Sequence, residues 1–299
     1  MEIGILTFHD SINPGAYLQA FALMNIVKNF GYEVEIINYK NKTHWFREYG
    51  GLLISKHPIA VFLNIKKILK YKKCHKRFNL NPKNLVLNST KLKTDKYDVI
   101  IVGSDIVWDY KRPHLGSDPI YFGKGLYPKK LVSYGASFGS VNKDDNPPNF
   151  VIDGFKKFSS ISARDENSKD IVKKLAGIDA EIVLDPTFLF DFSEYEVLPK
   201  EKDYLLVYDT YLSNSAIDKL KDFSRQKKIQ TIAINFKQKW CDKNIILVDP
   251  FEWLGFFKNA AYVVTSRTHG TIFSIKYNTN FAVVDNWEYM IKQSHSYLN

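Results

Sequence analysis

The chain has 299 residues, 45% of them hydrophobic and 25% charged, with 15 Gly, 11 Pro and a net charge of +10. That balance excludes disordered, collagenous and low-complexity chains, and at roughly 150 residues per domain it predicts two globular domains. Cys74 and Cys241 are too few for a disulfide framework or a cysteine-rich metal site, and no apolar run approaches the roughly 18 residues of a membrane-spanning helix.

Glu2–Phe8 is the first predicted strand. It has no basic leader region, which predicts a cytoplasmic protein with reduced thiols. The loop that follows carries His9, Asp10 and Asn13, which the carboxyl end of a strand would present to a ligand. Taken singly, each is also an ordinary turn residue. The loop lacks G-x-G-x-x-G, and the second strand, Glu33–Tyr39, ends without a ribose-binding acid, so a nicotinamide cofactor is not expected. Between these strands Tyr17, Ala20, Phe21, Met24 and Val27 recur with helical spacing.

Residues 40–83 hold twelve Lys or Arg and a single acid, Glu48, a net +11, so the rest of the chain carries −1. Such an island predicts a local contact with an anionic partner. Within it Pro58–Lys73 is apolar first and cationic later. This fits a helix docking on an anionic membrane through residues 56–77, although a helix packed on its own domain with a solvated lysine face explains the pattern slightly better. Basic and aromatic residues do not alternate as in a stacking groove, so no nucleic acid is expected.

Asp98–Val102 is the next strand, and it runs into Gly103-Ser104-Asp105 with Trp108 beyond. Asp105 is a candidate acceptor of a hydroxyl proton and Trp108 a candidate sugar-stacking ring, though a helix cap and a core aromatic explain them as well. Leu131–Tyr134, Ser160–Ala163 and Glu181–Leu184 follow as strands. Arg164, directly after one of them, is an anion clamp or a salt-bridge partner. Asp191–Lys202 has no clean period and reads as a linker between domains 1–192 and 200–299. Beyond it come strands at Tyr204–Tyr208, Gln230–Asn235, Ile245–Val248, Tyr262–Val264 and Phe281–Val284, with a helical period at Ala216, Leu220 and Phe223. Most strands are apolar on both faces, as in parallel sheets, and the βα alternation predicts two Rossmann-like doubly wound domains facing a cleft, the GT-B class.

Thr265-Ser266-Arg267-Thr268-His269-Gly270 is the most informative loop. It links a strand to a helix N-terminus, where free N–H groups and the dipole suit an anion. Arg267 adds a bidentate fork and His269 a group that can exchange protons near neutral pH. The structural alternative is a surface ion pair and a self-capping histidine. No P-loop, H-E-x-x-H or G-x-S-x-G occurs, and no metal ligand set is apparent.

Together these segments resemble the polysaccharide pyruvyl transferase family over essentially the whole chain. The landmarks are Gly4–His9 with Asn13, Gly15 and Leu18-Gln19-Ala20, then Gly103-Ser104-Asp105 with Trp108 and Tyr134–Gly139. Ser162-Ala163-Arg164-Asp165 with Ser168, Leu184–Thr187 and Ser266–Gly270 follow in the family's order. The resemblance implies a GT-B-like fold and transfer of a pyruvyl group from phosphoenolpyruvate to a sugar of a cell-surface polysaccharide, or of its lipid-linked precursor, forming a ketal. No further cofactor is implied. It also implies that Arg164, Arg267 and His269 are donor-site residues, joined here by Ser266 and Gly270 from the same loop. His269 is then the candidate general acid, Asp105 the candidate base, and His9, Asp10, Asn13 and Trp108 the candidate acceptor contacts. Pro14 stands where the family often has an aromatic residue. Family members also continue further beyond the equivalent of Phe281–Asp285, whereas here Trp287–Asn299 follow, so a closing helix on the first domain is not expected. A GT-B glycosyltransferase using a nucleotide sugar, and a non-catalytic relative that binds saccharide or membrane, are the competing readings.

Overall fold

A computed structural model describes residues 1–54, 58–112, 115 and 117–284. His57 and Lys56 of the basic segment, and the tail from Asp285 to Asn299, lie outside the described residues. The chain divides into two compact units, residues 1–191 and 192–299.

In the first unit five parallel strands form a sheet in the order β3-β2-β1-β4-β5: β1 Glu2–Leu6, β2 Glu33–Tyr39, β3 Leu80–Val86, β4 Val99–Val102 and β5 Lys130–Ser133. A two-stranded parallel ribbon, β6 Ser162–Ala163 with β7 Glu181–Ile182, follows. Strand β3 was invisible in the sequence. Its Leu-Asn-Pro-Lys-Asn-Leu-Val has no apolar run, and it survives because it is an edge strand, where Pro82 need not serve two neighbours. Helix α1, Pro14–Asn29, starts at Asn13, whose Oδ1 accepts the Gly15 N–H at 2.9 Å, and is buried on nearly every face of its first three turns. Helix α2, Pro58–His75, follows a run of short helical turns over residues 42–53. Helices α3, Asn149–Phe155, and α4, Glu166–Ala176, precede β6 and β7 respectively, and a short turn of helix covers Pro186–Leu189.

Behind this sheet Trp108, Phe122, Phe138 and Phe155 are fully buried and pack edge to face or tilted. The Trp108 indole N–H donates to the Tyr121 carbonyl at 2.9 Å. Trp108 is therefore core, and the sugar-stacking expectation fails because no face of its ring is open. Trp108→Phe is expected to cost about 1–3 kcal/mol, since it leaves the Tyr121 carbonyl unpaired and a small void. Chemical denaturation measures the loss; a rise in acceptor KM with unchanged stability would instead restore the stacking role.

The second unit repeats the pattern in the order β10-β9-β8-β11-β12, again all parallel: β8 Tyr204–Tyr208, β9 Thr231–Ile234, β10 Lys243–Ile245, β11 Ala260–Thr265 and β12 Asn280–Val283. Strand β10 precedes the apolar Ile245–Val248 run expected to form it, because pairing with β9 begins at Lys243. Helices α5, Asn214–Lys227, α6, Pro250–Lys258, and α7, Thr268–Lys276, connect the strands. The segment read as a linker is packed rather than free. Phe192 is buried against Phe273, and Gly255 lies so close under Val197 that a Cβ there would stand 2.0 Å from its carbonyl oxygen. Among the described residues no helix is long and apolar enough to cross a membrane.

Candidate functional site

Each sheet reverses its strand order beside its central strand, between β1 and β4 in one unit and between β8 and β11 in the other. Such switch points open a crevice at the carboxyl ends of the strands. The two crevices are tied in the same way. Thr7 Oγ1 donates to the Ser104 carbonyl across β1 and β4, and Thr265 Oγ1 donates to the Tyr208 carbonyl across β11 and β8, both at 2.9 Å.

In the second unit that threonine organises the loop. Thr265 Oγ1 also accepts the Arg267 N–H at 3.0 Å, and Gly270 packs directly on it, where a Cβ would lie 2.4 Å from Oγ1. Gly270 is thus required for close approach of α7 to β11, a spacer rather than a donor contact through a side chain. Arg267 occupies the N-cap position of α7, and no side chain caps the helix. Its guanidinium lies 4.7 Å over the Phe236 ring, and Nη2 donates to Thr210 Oγ1 at 3.1 Å. Among the described residues it forms no ion pair, so its charge is held in place without being neutralised. Ser266 and His269 are half-buried beside it. Sequence reasoning passed over Asp209. It is fully buried after β8, its Oδ1 accepts the Tyr211 N–H at 3.0 Å, and its Oδ2 has no hydrogen-bond partner among the described residues. The strand-end rule that found Arg267 applies equally to the Asp209-Thr210 turn.

In the first unit the chain leaves β4 through Gly103, whose φ of +113° and close approach to the Tyr134 carbonyl, 2.5 Å from a notional Cβ, admit only glycine. Asp105 follows at φ +84°, with Oδ1 accepting the N–H of Ile106 at 2.8 Å. Arg164, after β6, donates to Asp185 Oδ2 at 2.7 Å and lies 3.9 Å from Asp105 Oδ1. Asp185 is itself fixed by Thr187, whose N–H and hydroxyl donate to Oδ1 at 3.0 and 2.6 Å. Burial disfavours the charged form of Arg164, but Asp185 and Asp105 outweigh it and raise its pKa. The expectation of an open anion clamp is therefore corrected. One guanidinium between two carboxylates is already more than neutralised, and its geometry suits holding Asp105.

The first loop is also structural. His9 is buried and donates from Nε2 to Asn38 Oδ1 at 3.0 Å, while Asn38 donates onward to the Pro82 and Lys83 carbonyls, tying β1 to β2 and β3. Burial lowers its pKa and keeps it neutral. Asp10 accepts the Tyr49 hydroxyl at 2.7 Å and faces His75 Nδ1 at 3.3 Å, with Lys40 bonded to its carbonyl and to Glu48. Despite burial, Lys40 and His75 hold the Asp10 carboxyl below its usual range. With Asn13 spent on capping α1, none of these three side chains is held open for an acceptor. Sequence spacing could not reveal Lys40, Tyr49 and His75, because they reach Asp10 from separate elements, with Glu48 joining through Lys40.

A family model described as polysaccharide pyruvyl transferase matches residues 13–288. Among solved structures, S. aureus MnaA with UDP is 9% identical, with a TM-score of 0.54 over 95% of this chain and 79% of its own. A putative UDP-N-acetylglucosamine 2-epimerase from Listeria monocytogenes is 7% identical, with a TM-score of 0.54 over 96% and 79%. The UDP-GlcNAc 2-epimerase of Methanocaldococcus jannaschii is 12% identical, with a TM-score of 0.50 over 94% and 83%. At such identities the likeness shows the fold alone, two Rossmann-like units of GT-B type. No curated protein matches the chain.

Proposed function

Because the chain belongs to the polysaccharide pyruvyl transferase family, we propose that it moves a pyruvyl group from phosphoenolpyruvate to two hydroxyls of a saccharide, forming a cyclic ketal and releasing phosphate. The acceptor is a unit of a cell-surface polysaccharide or of its lipid-linked precursor. The observation that carries this reading is Arg267, a guanidinium with no ion pair among the described residues, at a helix N-terminus without a side-chain cap and with a half-buried histidine two residues on. Phosphoenolpyruvate offers that site a phosphate and a carboxylate.

The chemistry needs one proton delivered to the donor's methylene carbon, which makes the adjacent carbon electrophilic. A first hydroxyl adds there and loses its proton. The carbon–oxygen bond to phosphate then breaks, and a second hydroxyl adds and loses its proton to close the ketal. We assign the first delivery to His269 and the acceptance of a hydroxyl proton to Asp105, with Arg164 as the residue that positions Asp105.

Arg267→Lys is the direct test of the donor site. Charge is kept and the fork is lost, so phosphoenolpyruvate affinity by calorimetry is expected to fall roughly tenfold or more. Unchanged affinity would remove Arg267 from the donor site. Stabilisation of the wild type by nucleotide sugars and not by phosphoenolpyruvate would overturn the whole assignment in favour of glycosyl transfer.

A further inference from the structure

Helix α2 is packed on the first unit through one face only. Ile68, Tyr71, Cys74 and His75 are buried, the Tyr17 hydroxyl donates to the Cys74 carbonyl at 2.8 Å, and His75 meets Asp10. The opposite face carries Ile59, Phe62, Ile65 and Leu69, which are 76%, 55%, 42% and 60% exposed. Their spacing of three and four residues places them in one stripe along the helix. Leu53 and Ile54, just before it in the chain, are 45% and 76% exposed. Packing on the domain therefore explains the inner stripe and leaves the outer one without a purpose.

Charge identifies what covers it. Lys66, Lys72, Lys73 and Lys76 are exposed on or just past this helix, with the Lys66 ammonium 4.4 Å over the Phe62 ring. No Asp or Glu occurs anywhere from residue 49 to residue 94. The twelve basic residues of the island are not all on this surface, since Lys40 is buried against Glu48 and Lys67 is buried with its pKa lowered to about 8. Lys66, Lys72, Lys73 and Lys76 still flank the apolar stripe with a single sign of charge. A second copy of the chain would bring like charges together, whereas an anionic bilayer supplies both an apolar layer and opposite charge. We infer that the outer face of α2 docks the first unit on an anionic lipid surface, with Ile59, Phe62, Ile65 and Leu69 entering the headgroup boundary and the lysines pairing with lipid phosphates. Nothing in this depends on the transferase reading.

The test is co-sedimentation of the full chain with phosphatidylcholine vesicles and with the same vesicles containing phosphatidylglycerol. Binding is expected only with phosphatidylglycerol and should weaken steadily as salt is raised. Phe62→Ser with Leu69→Ser, and separately Lys66→Glu with Lys73→Glu, should each lower the bound fraction at least severalfold while leaving the melting temperature unchanged, because all four side chains face away from the core. Equal binding to both vesicles would overturn the proposal, as would no binding. So would a wild-type dimer by sedimentation velocity that Phe62→Ser with Leu69→Ser turns into a monomer without altering lipid binding. The salt series on the unmodified chain decides the question even where a variant fails to fold. Donor and acceptor are absent throughout, so failure here leaves the pyruvyl-transfer reading standing, and the reverse.

Discussion

His269→Gln is expected to lower turnover by roughly 10²–10⁴-fold, the range of a positioned proton donor, while phosphoenolpyruvate affinity stays within a few-fold of wild type. The residue stands second in α7, half-buried, two positions after the Arg267 cap. Glutamine keeps a hydrogen-bonding side chain of similar reach but cannot carry the proton. Binding energy from Arg267 and the helix end survives the change, so the loss should appear in kcat, and calorimetry with phosphoenolpyruvate alone separates the two quantities. Near-normal turnover would remove the acid assignment. A parallel collapse of donor affinity would make His269 a binding residue.

Asp105→Asn should cost turnover on the same scale, by removing the acceptor of the hydroxyl proton while keeping the shape of the side chain. The tertiary structure adds a companion measurement. Arg164 lies between Asp185 and Asp105 at 2.7 and 3.9 Å, so Arg164→Ala should release Asp105 and lower kcat by a smaller factor, with donor affinity retained. A purely structural role for Arg164 would lower stability and leave the kcat of the folded enzyme in place. A loss of donor affinity equal to that in Arg267→Lys would return Arg164 to the donor site, as the family resemblance implies.

The contrast between the two arginines shows where sequence reading stops. Both directly follow or closely follow a strand, both belong to family motifs, and both read as anion clamps. What separates them is the company each keeps. Asp185 reaches Arg164 from 21 positions away, whereas Arg267 meets an aromatic ring and a hydroxyl. Charge neutralisation is a property of space, and no spacing rule encodes it. The same limit applies to Trp108 and His9. Each sits in a motif that a ligand-binding loop would use, and each turns inward because the core claims an aromatic ring and a neutral imidazole.

The fold class, by contrast, was determined locally. Strands β1, β4, β8, β9 and β11 are mostly apolar on both faces and begin and end within a few residues of where alternation with helical segments puts them, because burial under helices on both sides demands that composition. The helix start after Arg267 and the helical segment at Pro58–Lys73 were legible for the same reason: each depends on residues adjacent in the chain. Only the tertiary structure decided the edge strand at Leu80–Val86, whose pairing rather than its composition makes it a strand. It alone closed the Asp10–Lys40–Glu48–Tyr49–His75 cluster, and it alone showed which side of α2 is covered. Those outcomes depend on contacts between segments far apart in sequence, and their energies arise only when folding brings the segments together.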